Sequence, residues 1–118
     1  MTDLKPYLNN VTILLETAKQ VSKDFSILGI EITFSENSNN TYLELFHQIL
    51  PHIEKLQKVN FQNFYNLLYR IDLSEDQIKR EMAASVDKTF SEVVTDLILK
   101  REMLKVVMRK NYSSRSNQ

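Results

Sequence analysis

The run from Phe90 to Tyr112 constrains this chain more than any other, because it places apolar residues on two sides of one helix. At about 100° per residue, Phe90, Val93, Val94, Leu97, Leu104 and Met108 share a stripe, as in an amphipathic helix that faces a core. Leu99, Met103 and Val106 recur at i, i+4 and i+7 on nearly the opposite side, and Val107 lies on the flank between them. A helix that is apolar on one side needs one neighbouring layer, whereas this one needs two. Two occupants fit the second stripe: other helices of the same chain, or a protein interface, in which a second copy would make a homodimer.

Arg101 falls near the middle of the first stripe. A guanidinium there must be paired and hydrogen-bonded, because an uncompensated buried charge costs several kcal/mol. Asp72 falls on the apolar side of the preceding Phe61–Ile71 run if that helix is extended, so Arg101 and Asp72 are the expected buried charge pair. The alternative is an Arg101 that buries only its stem and reaches the rim with its head.

The rest of the chain supplies helices to surround this one. A length of 118 residues suits one domain with a modest core. One glycine and two prolines are too few for the turns of a sandwich or barrel, and a hydrophobic content of 42% argues against disorder. The expected fold is all-α: an antiparallel up-and-down bundle of four main helices and one short extra, joined by an extended Gly29–Asn40 connection. It occupies residues 1–112 as a single domain, with 113–118 as a flexible tail.

Thr2 is a candidate cap for a first helix reaching Leu28, with Leu4, Leu8, Val11, Leu15, Ala18 and Phe25 on its stripe and Tyr7, Leu14, Val21 and Leu28 widening it. Gly29 suits the left-handed position that ends a helix. Ile30, Ile32 and Phe34 then alternate with Glu31 and Thr33, a strand pattern with no second strand to pair with. Three arrangements fit it: an extended segment with its apolar side inward, an irregular helix, or pairing with a second copy. Ser35–Asn40 reads as a polar linker. Thr41 and Glu44 form a capping box for a helix carrying Phe46, Ile49, Leu50, Ile53 and Leu56, which Pro51 should kink on its outer side. Asn60 caps an aromatic-rich helix, Ser74 and Gln77 box a short one, and a break near Ser85–Lys88 precedes the last.

Charge is balanced overall but unevenly spread. Residues 1–99 carry nine Lys/Arg against fourteen Asp/Glu, and residues 100–118 carry six against one. Cations at a helix C-terminus and anions near its start complement the helix dipole, which accounts for most of the asymmetry. Lys100, Arg101, Lys105, Arg109, Lys110 and Arg115 lack the aromatic interleaving of a nucleic-acid surface, so binding of nucleic acid or of an anionic surface is a secondary reading.

Chemistry-bearing patterns are sparse. With no cysteine there is no thiolate nucleophile, disulfide or cysteine-ligated metal. Glu44 and His47 have the Glu-x-x-His spacing of di-iron bundles, but the other histidine, His52, has Ile49 where the second glutamate would stand. No metal, cofactor or catalytic residue is expected, although a site built from carboxylates alone would leave no motif. Tyr65 and Tyr69, one turn apart beside Asn66 and Arg70, fit core or rim packing, and otherwise a small-molecule pocket or an interface patch.

The segment Asn-Leu-Leu-Tyr-Arg-Ile-Asp-Leu-Ser-Glu from Asn66, the helix Leu97–Met108 and the following Arg-Lys-Asn-Tyr-Ser resemble a class of short all-helical bacterial proteins with no assigned activity. The resemblance covers the C-terminal half. It implies a cytoplasmic helical module and assigns no functional residue. The residues and the resemblance together lead to a non-catalytic protein–protein interaction or regulatory module. Its contact stripe would be Leu99, Met103, Val106 and Val107, and its partner a protein or a second copy, with no membrane insertion. A nucleic-acid accessory protein and a ligand-binding or enzymatic bundle are the alternatives.

Overall fold

The computed structural model describes residues 3–34 and 41–116. Five α-helices follow a short 3-10 turn at Lys5–Tyr7: α1 (Val11–Ile27), α2 (Tyr42–Val59), α3 (Phe61–Ile71), α4 (Glu75–Ala84) and α5 (Phe90–Ser116). Among the described residues no strand forms. The expected helical bundle is present, with α5 as its central element, packed against α1, α2, α3 and α4. Its 27 residues span about 40 Å at 1.5 Å per residue, close to the molecule's longest dimension of 46 Å.

Local chemistry sets the helix ends. Asn10 caps α1 by accepting from Ile13 N–H at 3.0 Å, so the helix starts later than a Thr2 cap would place it. Pro6 sits instead in the first residues of the 3-10 turn, where a missing N–H costs little. Thr2 and the Ser35–Asn40 linker lie outside the described residues. At the other end of α1, Gly29 adopts φ +77° while Gly29 N–H donates to Ser26 and Ile30 N–H to Phe25, the paired bonds of a Schellman end. Asp72 takes the same left-handed position after α3, with φ 66°, and Leu73 N–H reaches back to Leu68.

Asn60 both donates to Leu56 and accepts from Asn63, so one residue closes α2 and opens α3. Ser74 and Gln77 make a reciprocal capping box on α4. Thr89 and Glu92 make another on α5: Glu92 N–H donates to Thr89 and Thr89 N–H to Glu92. The α2 helix runs through Pro51, whose ring is exposed. The Ile30–Phe34 segment has no regular structure, but Ile32 is buried and Ile30 and Phe34 are half-buried while Glu31 and Thr33 face solvent. Ser22 anchors it by donating to the Ile32 carbonyl.

Two expectations about α5 are corrected. Leu99, Met103 and Val106 are 0% exposed and Val107 is 1% exposed, covered by the chain's own helices, so they form core and not an interface. The first stripe instead runs out to solvent: Met108 is exposed, and Leu97 and Leu104 are only half-buried. The physical reason is helix crossing. Buried positions advance in adjacent pairs four apart, from Val94 and Thr95 to Ile98 and Leu99, Glu102 and Met103, then Val106 and Val107. Each step of four residues turns the buried side by about 40°, so the two apparent faces are one band that winds around α5. The tail is also shorter than expected, because nothing after Tyr112 breaks a helix and α5 continues to Ser116.

Burial of this band predicts that Leu99→Ala or Met103→Ala destabilises the monomer by about 2–5 kcal/mol in urea unfolding, with no change in molar mass. Gly29→Ala should cost about 1 kcal/mol, because alanine must be forced into the left-handed region.

Candidate functional site

The densest group of interacting charges lies where α1, α3 and α5 meet. Asp24, in the last turns of α1, is 3% exposed, and Glu102, midway along α5, is 0% exposed. Arg70 of α3 donates from Nε to Asp24 Oδ1 at 3.0 Å, and Gln20 donates to Oδ2 from one turn earlier at 3.1 Å. Lys105 of α5 places its Nζ 3.1 Å from Glu102 Oε1 and 3.8 Å from Asp24 Oδ2. Arg109, a turn further on, donates to Gln20 at 3.1 Å and closes the outer edge.

Two carboxyls in this position cannot both be charged without cost. Burial pushes the Glu102 carboxyl up to about 8, and hydrogen bonding with Asp24 and the Asp24 charge push the same way, while Lys105 opposes them. Burial acts to raise Asp24 as well, but hydrogen bonds from Glu102 and Gln20 and the charges of Lys105 and Arg70 outweigh it, holding Asp24 below its ordinary value. The arrangement at neutral pH is a protonated Glu102 donating to an ionised Asp24. A proton on Glu102 also answers its hydrogen-bond deficit, since neither oxygen accepts from any donor and Lys105 provides only an ion-pair contact, so the carboxyl is satisfied only as a donor to Asp24.

Arg101 makes the expected pair with Asp72, but at the rim and not in the core. Its Nη2 meets Asp72 Oδ2 at 3.1 Å and its Nε donates to the Ile71 carbonyl, but the Asp72 side chain is 83% exposed. The pair therefore tethers the end of α3 at the rim, and the buried ionisable group of α5 lies one residue later, at Glu102. The signal was in the sequence: Glu102 is the single acid among residues 100–118 and stands four residues from both Ile98 and Val106. Asp24 likewise falls three residues after Val21 on the α1 stripe.

The basic end of α5 is largely engaged within the fold. Lys100 pairs with Asp96 at 2.9 Å, Arg101 with Asp72, Lys105 with Glu102, and Arg109 with Gln20. Asp96 also accepts from the Tyr42 hydroxyl, tying α2 to α5, and burial followed by that contact pushes the hydroxyl's titration further up. Ser91 and Gln57 make a second α2–α5 tie. On α2, Glu44 and His47 are both exposed. Among the described residues no three His, Asp or Glu side chains are grouped to hold a metal ion.

The second distinctive feature is on the surface. Phe61, Tyr65 and Tyr69, spaced i, i+4 and i+8 along the outer face of α3, are 55%, 41% and 90% exposed. Phe61 and Tyr65 pack edge to face with ring centroids 4.9 Å apart. Phe61 also lies 6.0 Å from the buried Phe64, which stacks on Phe90 at 6.2 Å, so the exposed stripe is rooted in the core. The flanking side chains are amides: Gln62 donates to Asn66, and Asn66 to Asn63.

No family model, no curated protein and no solved structure matches this chain. Among the described residues no helix is long and apolar enough to cross a membrane.

The two charge contacts should differ in weight. Arg70→Ala removes the charged hydrogen bond to Oδ1 of the buried Asp24 and should cost about 1.5–3 kcal/mol in chemical denaturation. Arg101→Ala removes an exposed pair and should cost less than about 1 kcal/mol. Equal losses would contradict the assignment of Asp24 as the buried anchor.

Proposed function

We propose that this chain is a small non-catalytic helical binding module that docks a protein partner through the aromatic stripe of α3. The observation that carries the reading is the exposure of Phe61, Tyr65 and Tyr69 on one helix face. Aromatic rings bury large areas at low conformational cost and are enriched in interface cores, where charged groups are depleted. The stripe fits that composition, with uncharged amides of Gln62 and Asn66 beside it. It spans about two helical turns, long enough to seat against an apolar groove or helix of the partner.

The reading moves the contact surface from the last helix to α3, since Leu99, Met103, Val106 and Val107 are enclosed by the fold. Recognition of nucleic acid by the basic end of α5 gains no support, because Lys100, Arg101, Lys105 and Arg109 are engaged by Asp96, Asp72, Glu102 and Gln20.

The test compares cross-linked partners captured by the unaltered protein, by Tyr65→Ser plus Tyr69→Ser, and by Leu43→Ser as an exposed control on α2. All three should fold alike by circular dichroism. The expected result is a partner retained by the control and lost from the double variant; light scattering identifies the case in which that partner is a second copy. A captured set unchanged by the stripe substitutions, or an empty one, overturns the reading.

A further inference from the structure

The carboxyl pair of Asp24 and Glu102 has no part in the proposed docking surface, yet it joins three helices. Asp24 is bound from α3 by Arg70 and from α5 by Lys105, and Glu102, with no exposed atom, shares the same Lys105 ammonium, 3.1 Å from its Oε1 and 3.8 Å from Asp24 Oδ2. On α5, Ile98 and Leu99 lie one turn before Glu102 and Val106 one turn after, all buried on the same winding band. Whatever acts on Glu102 therefore acts on the packing of the C-terminal half of α5.

We propose that Asp24 and Glu102 form a proton-operated latch: one proton held between the two carboxyls docks the C-terminal half of α5 on α1, and its loss loosens that half and uncovers Ile98, Leu99 and Val106. Without the proton, two carboxylates that can only accept hydrogen bonds face each other in a buried site. The cations offset this in part only. Arg70 binds Asp24 and not Glu102, and both Arg70 and Lys105 are about one third exposed, so solvent screens them. The other elements add no counter-charge: the residues that α2 buries are Leu45, Ile49, Ile53 and Leu56, and α4 buries Ile78.

The sign of the pH dependence follows from linkage. Glu102 holds its proton in the folded chain up to about 8, whereas the unfolded chain releases it near 4.5. The stability it contributes is complete below 4.5 and is lost as pH rises to about 8. Asp24, held below its ordinary 3.8, acts the other way, contributing above 3.8 and losing its contribution as pH falls further. Together they make the fold firmest in mild acid and weaker towards pH 8.

The test is urea unfolding and amide hydrogen exchange from pH 5 to pH 9 on the unaltered protein and on Glu102→Gln, whose amide still donates to Asp24 but cannot ionise. In the unaltered protein the folding constant should fall by about tenfold per pH unit in the steepest part of the window. Residues 98–107 should lose protection at pH 9 relative to Glu102→Gln at the same pH, and the variant's profile should be flat by comparison. A wild-type slope retained in Glu102→Gln, or no slope in the unaltered protein, overturns the latch. Carbon NMR titration of the Glu102 carboxyl in the unaltered protein decides the matter even if the variant fails to fold. A transition near 8 supports the latch, and one in the ordinary carboxylate range near 4.5 refutes it.

Discussion

The burial of α5 along a band that winds around its axis is the constraint on which the rest of the molecule depends. A helix with Val94, Ile98, Leu99, Met103, Val106 and Val107 all inaccessible cannot be satisfied by one neighbour. The other four helices contact it in turn, and their own apolar faces are set by where that band points. Each buried aliphatic side chain adds roughly 1.5–3 kcal/mol of transfer free energy. In a chain without disulfides, that burial is the principal term opposing the conformational entropy of 118 residues.

The same band explains why a carboxyl is at its centre. Glu102 occupies a position that packing would give to leucine, so the fold accepts the desolvation of a carboxyl to gain a contact with Asp24. Replacing such groups with apolar residues is often neutral or stabilising in proteins generally, which makes retention of a polar pair at a helix junction informative about specificity or switching. Arg70 and Lys105 approach the pair from two helices, so the polar cluster also fixes the register of α3 and α5 against α1.

Local signals are legible in the sequence because they depend on a few adjacent residues. Asn60, Ser74 with Gln77, and Gly29 each cap or end a helix as their side chains require, and the alternation at Ile30–Phe34 survives as alternating burial in an unpaired segment. The candidate site was not legible in the same way. A helical wheel treats stripes as straight lines along the axis, whereas crossing neighbours rotate the buried side; Arg101, which the wheel sets near the middle of a stripe, lies at the rim, and Glu102, one residue on, is buried. Val11 and Leu15 fall on the apolar stripe of α1 yet are about half exposed, while Thr17 and Asp24 are inside. Tyr65 and Tyr69 stand out in the sequence, but their exposure depends on which side of α3 meets α1 and α5, a tertiary fact.

The single residue between α2 and α3 has a mechanical consequence. Because Asn60 completes the hydrogen bonding of one helix while capping the next, the two cannot pivot independently without breaking both contacts. The elbow transmits any displacement of α3 at its aromatic face directly to α2, and through the Tyr42–Asp96 and Gln57–Ser91 ties to α5. A load on the outside of the bundle therefore reaches its central helix by a short, hydrogen-bonded route.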